Sequence, residues 1–127
     1  MSFSKTKILI FDTSQIFYKY FKKTIPNCEF QLFSEYNIKE DLDECAAAIF
    51  IIDNMLEFVE FLKVYKTNIP KIVGCYEKGF FVRRLEIEQS CGIKIIDMSG
   101  TKMDIGDQIK FCLEEIQLKT KKVIYND

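Results

Sequence analysis

The sequence predicts an α/β fold: a single doubly wound, five-stranded parallel sheet in the order 2-1-3-4-5, with helices on both faces. Two observations carry this. Short apolar runs alternate five times with amphipathic stretches, each pair taking about 20 to 25 of the 127 residues, which is the rhythm of repeated strand–helix units. The central runs are apolar throughout rather than at every second residue, as in strands buried from both sides. A chain of this length, 48% hydrophobic and 29% charged, supports one core and one domain.

Each element has its own signal. Lys7-Ile-Leu-Ile-Phe11 is a buried strand bounded by Asp12-Thr-Ser14. A helix follows with Ser14 as N-cap, Phe17, Phe21 and Ile25 sharing a face with Ile16 and Tyr20, and Lys19, Lys22 and Lys23 pointing away. Pro26-Asn27 breaks it. Cys28 to Phe33 alternates apolar and polar residues and reads as a strand near an edge. Asn37 to Glu44 is a short acidic helix, and Ala46 to Ile52 is the strongest strand signal, ending at Asp53. From Met55 to Lys66, helical spacing gives a stripe of Met55, Phe58, Val59, Leu62 and Tyr65, with Leu56, Phe61 and Val64 outside it. Pro70 to Cys75 is the fourth strand, and Gly79 to Cys91 is an amphipathic helix with Val82 and Leu85 inward. Gly92 to Ile96 is the fifth strand, ending at Asp97. Met103-Asp104 opens the last helix, which repeats Ile105, Ile109, Cys112, Leu113 and Ile116, with Asp104 and Asp107 as an acidic capping pair. The domain therefore spans 1–118, followed by a short basic tail over 119–127.

Composition excludes several functions. Lys plus Arg is 18, Asp plus Glu is 19 and the net charge is -1, so no global basic field exists to hold nucleic acid or an anionic membrane. No apolar run approaches the roughly 20 residues that cross a bilayer. Histidine is absent, which removes imidazole general bases, Ser/His and Cys/His nucleophiles and histidine zinc sites. Five isolated cysteines, Cys28, Cys45, Cys75, Cys91 and Cys112, are an odd set that fits a reducing compartment, so a cytoplasmic location is expected. The best-defined phosphate cradles and nucleophile elbows are missing.

In this topology ligands sit at the carboxyl ends of the strands, beside the switch between strands one and three. That rule selects Asp12 and Asp53, two carboxylates placed to share a divalent cation or flank a phosphoryl site. The ordinary reading of either is a cap on the turn or helix that follows.

From Lys7 to Leu118 the chain resembles the receiver domain of two-component response regulators, a flavodoxin-like fold. Ile8-Leu-Ile-Phe-Asp12 looks like the family's first strand with its acidic end, Ile49-Phe-Ile-Ile-Asp53 like the third strand ending in the phosphoacceptor aspartate, and Pro70-Lys-Ile-Val-Gly-Cys75 like the fourth. The resemblance implies magnesium held by Asp12 and Asp53, with Asp53 accepting the phosphoryl group. It also exposes departures. Thr13 stands where the second acid of the metal pair belongs, and Cys75 stands at the switch Thr/Ser position with a weaker hydrogen-bonding group. Ser99-Gly100 replaces the Lys-Pro after the fifth strand, which leaves Lys102 as a displaced lysine. A carboxylate attacked by a phosphodonor needs positive charge nearby, and here that charge is thinned. The expectation is a pseudo-receiver: a stand-alone signalling domain acting through protein contacts without turnover, with no cofactor or only weakly bound magnesium. Its implied partner is a histidine kinase or a downstream effector.

Two alternatives stay open. One is a working receiver phosphorylated on Asp53 with magnesium. The other is a metal-dependent PIN-type nuclease, since Ile-Phe-Asp12-Thr-Ser14 resembles that family's opening and Glu35, Asp53 and Asp97 are available as further acids. Flavin binding is weaker, because the first loop lacks the small-residue cluster that wraps a phosphate.

Surface features point to contacts. Residues 31–60 hold eight anions and one cation, whereas residues 1–30 hold five cations and two anions; the acidic block is a docking surface for a basic partner or a solvated face. The chain has 12 Phe and 6 Tyr, and the apolar excess at Leu56, Phe61, Val64 and Phe80-Phe81 suggests an exposed patch. The receiver resemblance places a homodimer on the face made by the fourth and fifth helices, over Gly79 to Cys91 and from Met103 onward. Cys75 is either a redox-sensitive thiol or a small buried hydrophobe.

Overall fold

The apolar runs pair as parallel strands. The computed structural model describes residues 6–32, 45–63, 69–76 and 93–125, and within them β1 (Thr6–Phe11), β2 (Cys28–Leu32), β3 (Ala47–Ile52), β4 (Lys71–Cys75) and β5 (Ile93–Asp97) form one all-parallel sheet in the order β2-β1-β3-β4-β5. This is the flavodoxin-like arrangement that the sequence predicts. β1 holds β2 on one side (Ile8 opposite Phe30) and β3 on the other (Ile8 opposite Ala47). The chain order reverses at that point, which makes it the topological switch.

Burial follows the covering layers. Every residue of β3 and β4 is buried, as strands with both faces covered require. β2 alternates buried Cys28 and Phe30 with exposed Glu29 and Gln31, and it lies at the sheet edge. Lys71 is the polar intruder in β4; it is fully buried and its amine donates to the Ile69 carbonyl at 2.8 Å.

Three helices lie among the described residues: α1 (Ile16–Thr24), α2 (Met55–Leu62) and α3 (Lys102–Tyr125). One apolar layer joins Ile8, Ile10, Ile49 and Ile72 of the sheet to Phe17 and Phe21 of α1 and to Ile105, Ile109 and Leu113 of α3. The opposite layer joins Leu9, Phe50, Ile52, Val73 and Cys75 to Phe58 and Phe61 of α2. Helices thus cover both faces. The expected helices over Asn37 to Glu44 and Gly79 to Cys91, and with the latter half of the expected dimer face, lie outside the described residues.

Two glycines permit close approach. A Cβ on Gly74 of β4 would sit 2.5 Å from the Met98 sulfur, so glycine lets the chain after β5 fold over β4. On Gly106 it would sit 3.2 Å from the Tyr20 ring, where α1 meets α3.

Local details correct the sequence reading. α3 starts at Lys102 rather than Met103, because Thr101 is its cap. The Thr101 hydroxyl accepts the Asp104 N–H at 3.1 Å, and the Asp104 carboxylate accepts the Thr101 N–H at 3.3 Å. This reciprocal box pairs Asp104 with Thr101, not with Asp107. The basic stretch from Lys119 continues α3 as far as Tyr125.

The orientation of α2 is a larger correction. Met55 and Val59, assigned to the buried stripe, are 53% and 43% exposed, whereas Phe61, placed outside it, is fully buried. The inward face is Glu57, Phe58 and Phe61, again at helical spacing but turned by about one residue from the apolar stripe. Phe61 meets the Phe50 ring edge-on at 5.0 Å, and the hydrogen bonds of Glu57 described below hold that side down. No helix among the described residues is long and apolar enough to cross a membrane.

Candidate functional site

Asp12 and Asp53 follow the two central strands at the switch point. Phe11 pairs with Phe50, so β3 runs two residues further before Asp53. The two carboxylates therefore meet different surroundings: Asp12 is buried, and Asp53 is exposed.

Asp12 caps α1. One of its oxygens accepts the N–H groups of Phe17 and Tyr18 at 2.9 and 3.1 Å, and the other accepts the Ser14 hydroxyl at 2.9 Å. The helix's first free donors are thereby satisfied, since Ile16 N–H goes to Ser14 Oγ at 3.3 Å and Lys19 N–H to the Gln15 carbonyl. Ser14 is not the N-cap that the sequence suggests. Gln15 holds that place in a left-handed conformation (φ 61°) with no side-chain cap, at a backbone cost of about 1–2 kcal/mol. This turn brings the carboxylate of Asp12 over the helix end, where it does the capping and gains from the helix dipole.

Asp53 leads into α2. Asn54 is the N-cap, and its side-chain oxygen accepts the Glu57 N–H at 3.0 Å. Glu57 reaches back: Oε1 accepts the Asp53 N–H at 2.9 Å, and Oε2 accepts the Thr13 hydroxyl at 2.7 Å. Its side chain is buried. The acid missing at position 13 is thus met by one arriving from the opposite layer, and Glu57 clasps the loop after β1 to the loop after β3.

The remaining expected residues, Cys75 and Lys102, lie at the end of β4 and at the start of α3. Cys75 pairs with Ile52 on one side and Asp97 on the other, and it lies in the apolar layer with Phe58 and Phe61. Burial pushes its thiol up to about 11. A thiol so far from its anion is a poor nucleophile at neutral pH, so the small-hydrophobe reading holds for Cys75. The four described cysteines are all free, and burial also raises Cys28 and Cys112. The residue that ends β5 is an acid. The Asp97 carboxylate accepts from the Ser99 N–H and hydroxyl at 2.9 and 2.6 Å, while the Gln108 amide holds its backbone. Lys102 is exposed at the start of α3, five positions beyond that strand end.

A raised folded-state pKa has a consequence at alkaline pH. The Cys75 contribution to stability is complete below pH 9 and is lost as pH rises through about 11. Urea midpoints measured from neutral to alkaline pH are expected to fall across that window, and to fall less steeply in Cys75→Val.

Sequence reasoning missed two residues here. Glu57 was legible as the fourth residue of Asn54-x-x-Glu57, a capping-box pattern. Tyr76, directly after β4, is 38% exposed; its phenol is raised by burial and then by the charges of Asp53, Asp12 and Glu57, which places it in the field of all three carboxylates. Magnesium does not suit this donor set. Both Asp12 oxygens are engaged by protein donors, and Thr13 donates to Glu57 instead of offering a second charge. Among the described residues, no three His, Cys, Asp or Glu side chains are grouped to hold a metal. Comparison of the chain with protein-family models finds no match, and comparison with curated proteins finds none.

Proposed function

We propose that the chain is a receiver-like signalling domain of the pseudo-receiver kind, acting through protein contacts rather than aspartyl phosphorylation. The observation that carries this reading is the Glu57 clasp. In a phosphoaccepting site the carboxylates need a metal or a lysine to offset developing charge; here the carboxylates of Asp12 and Glu57 are engaged by internal donors, namely two helix N–H groups, a strand-end N–H and two hydroxyls. Asp97 at the end of β5 and the buried Cys75 beside it add to the departure from an active receiver. The same engagements weigh against the nuclease reading, because Asp12 and Asp97 are already committed to turns of their own. A protein partner, an upstream kinase or a downstream effector, remains the expected contact, in the reducing compartment that the isolated thiols suggest.

The test is thermal melting with and without magnesium and beryllofluoride, in wild type and Asp53→Asn. A ligand that binds the native state at a hundred times its Kd adds about 2.7 kcal/mol, or roughly 10 °C in a domain of this size. No shift is expected. A rise in wild type that vanishes in Asp53→Asn would restore the phosphoacceptor.

A further inference from the structure

β2 ends the sheet with one side open. The Thr6 N–H donates to the Asn27 carbonyl at 3.4 Å, and Thr6 stands opposite Cys28. In a parallel ladder this register turns the backbone of Glu29 and Gln31 toward β1, and the N–H and C=O groups of Cys28, Phe30 and Leu32 outward. No strand among the described residues pairs with that side. Such an edge is a template for one further strand, and β2 carries neither proline nor lysine to block it. The space beside the edge is shaped by α1. A cleft of about 480 Å³ runs there, lined by Tyr18 and Lys22 together with the length of β2. Lys22 is exposed, and its amine sits 5.0 Å from the centre of the Tyr18 ring, a cation–π contact that keeps the charge at the cleft. α1 carries Lys19, Lys22 and Lys23 and no acid. On the other face of the sheet the edge has the opposite sign, because Glu29 is exposed there beside Gln31.

We propose that the β2 edge takes up an extended segment of a separate protein as a sixth strand, with acidic side chains on the α1 side toward Lys22 and neutral or basic ones on the other side toward Glu29. Two features select this occupant. The outward backbone groups of Cys28, Phe30 and Leu32 are matched by an extended main chain, as in strand addition to a sheet edge. Charges of opposite sign on the two faces then favour a segment whose acids recur at every second residue. A second copy fits less well. Edge to edge, it would pair antiparallel about a two-fold axis perpendicular to the sheet, which sets α1 beside α1, and that helix offers lysines and no acid to meet Lys22. The α1-side residues of β2 itself, Cys28 and Phe30, are buried in the apolar layer.

The inference deepens the protein-contact reading above and rests on it, and its test separates the two. The probe is a fluorescein-labelled eight-residue peptide of alternating glutamate and threonine, followed by anisotropy and amide chemical-shift mapping. Saturable binding is expected, with shifts at Cys28, Phe30, Leu32 and Lys22. N-methylation of one alternate set of the peptide's amides is expected to abolish binding and of the other set to leave it. The glutamate amides are the sensitive set in an antiparallel arrangement and the threonine amides in a parallel one. Lys22→Gln, at an exposed position that leaves the core intact, is expected to weaken binding severalfold and flatten its salt dependence, and Lys23→Gln, outside the cleft, to change it less. No binding, equal binding of a peptide with lysines in place of the glutamates, indifference to N-methylation of either set, or shifts centred away from β2 would overturn the proposal. So would concentration-dependent shifts at β2 without peptide, which would assign the edge to a second copy. An Asp53-dependent response to beryllofluoride with peptide binding intact would sink the pseudo-receiver reading and leave the strand site standing; the converse pattern would do the reverse.

Discussion

Phe61→Ala is expected to destabilise the domain by about 3–5 kcal/mol, the usual cost of emptying a fully buried aromatic site. Phe61 is wholly enclosed, meets Phe50 edge-on at 5.0 Å and stacks on Phe58 at 6.5 Å, so truncation removes both area and ring contacts. Urea denaturation is the measurement, with Leu56→Ala as the companion. Leu56 is a larger hydrophobe than most surface residues, but it is 80% exposed, and its truncation is expected to stay within about 0.5 kcal/mol. Equal losses in the two variants would mean that α2 packs through the stripe read from hydropathy, with Met55 and Val59 inward.

Asp12→Ala separates two roles by the sign of its effect. Where neighbouring carboxylates are poised for a metal, chelator-treated protein gains stability when one charge is removed, because like charges no longer oppose each other. A buried cap behaves in the opposite way. Removing Asp12 leaves the Phe17 and Tyr18 N–H groups and the Ser14 hydroxyl without their acceptor, and lost capping with unsatisfied donors costs about 2–3 kcal/mol. The expected result is that loss, measured in urea with a chelator present. Asp12→Asn keeps one carbonyl oxygen for the helix donors and is expected to recover about half of it. A gain in either variant would return Asp12 to the metal site.

These two residues also show where a sequence is readable. The strands are legible because hydropathy alone decides them: Ile8 to Ile10 and Ala47 to Ile52 have no polar competitor, and covered parallel strands accept nothing else. The strand order follows from the alternation. α2 was misread because counting apolar positions assigns no weight to a carboxylate with partners to find. Glu57 turns inward since two hydrogen bonds across the sheet end hold it there, and Phe58 and Phe61 follow it. The cap of α1 escaped for a related reason: the left-handed backbone at Gln15 has no sequence signature such as glycine or asparagine, and only that turn lets Asp12 displace Ser14. At the site the sequence located the strand-end carboxylates and the weak positions Thr13 and Cys75. Which group would answer Thr13 depended on a residue 44 positions away.

The Glu57 clasp gives the two faces of the sheet a mechanical link. α1 and α2 lie in separate apolar layers with the sheet between them, yet the loop that launches α1 is fastened through Thr13 and Glu57 to the backbone that launches α2. Anything that levers α2 outward loosens the Thr13 loop with it, and a load on that loop is transmitted to the Asp53 amide. The link runs around the end of the sheet, through two hydrogen bonds on one side chain, and involves none of the strands' own pairing.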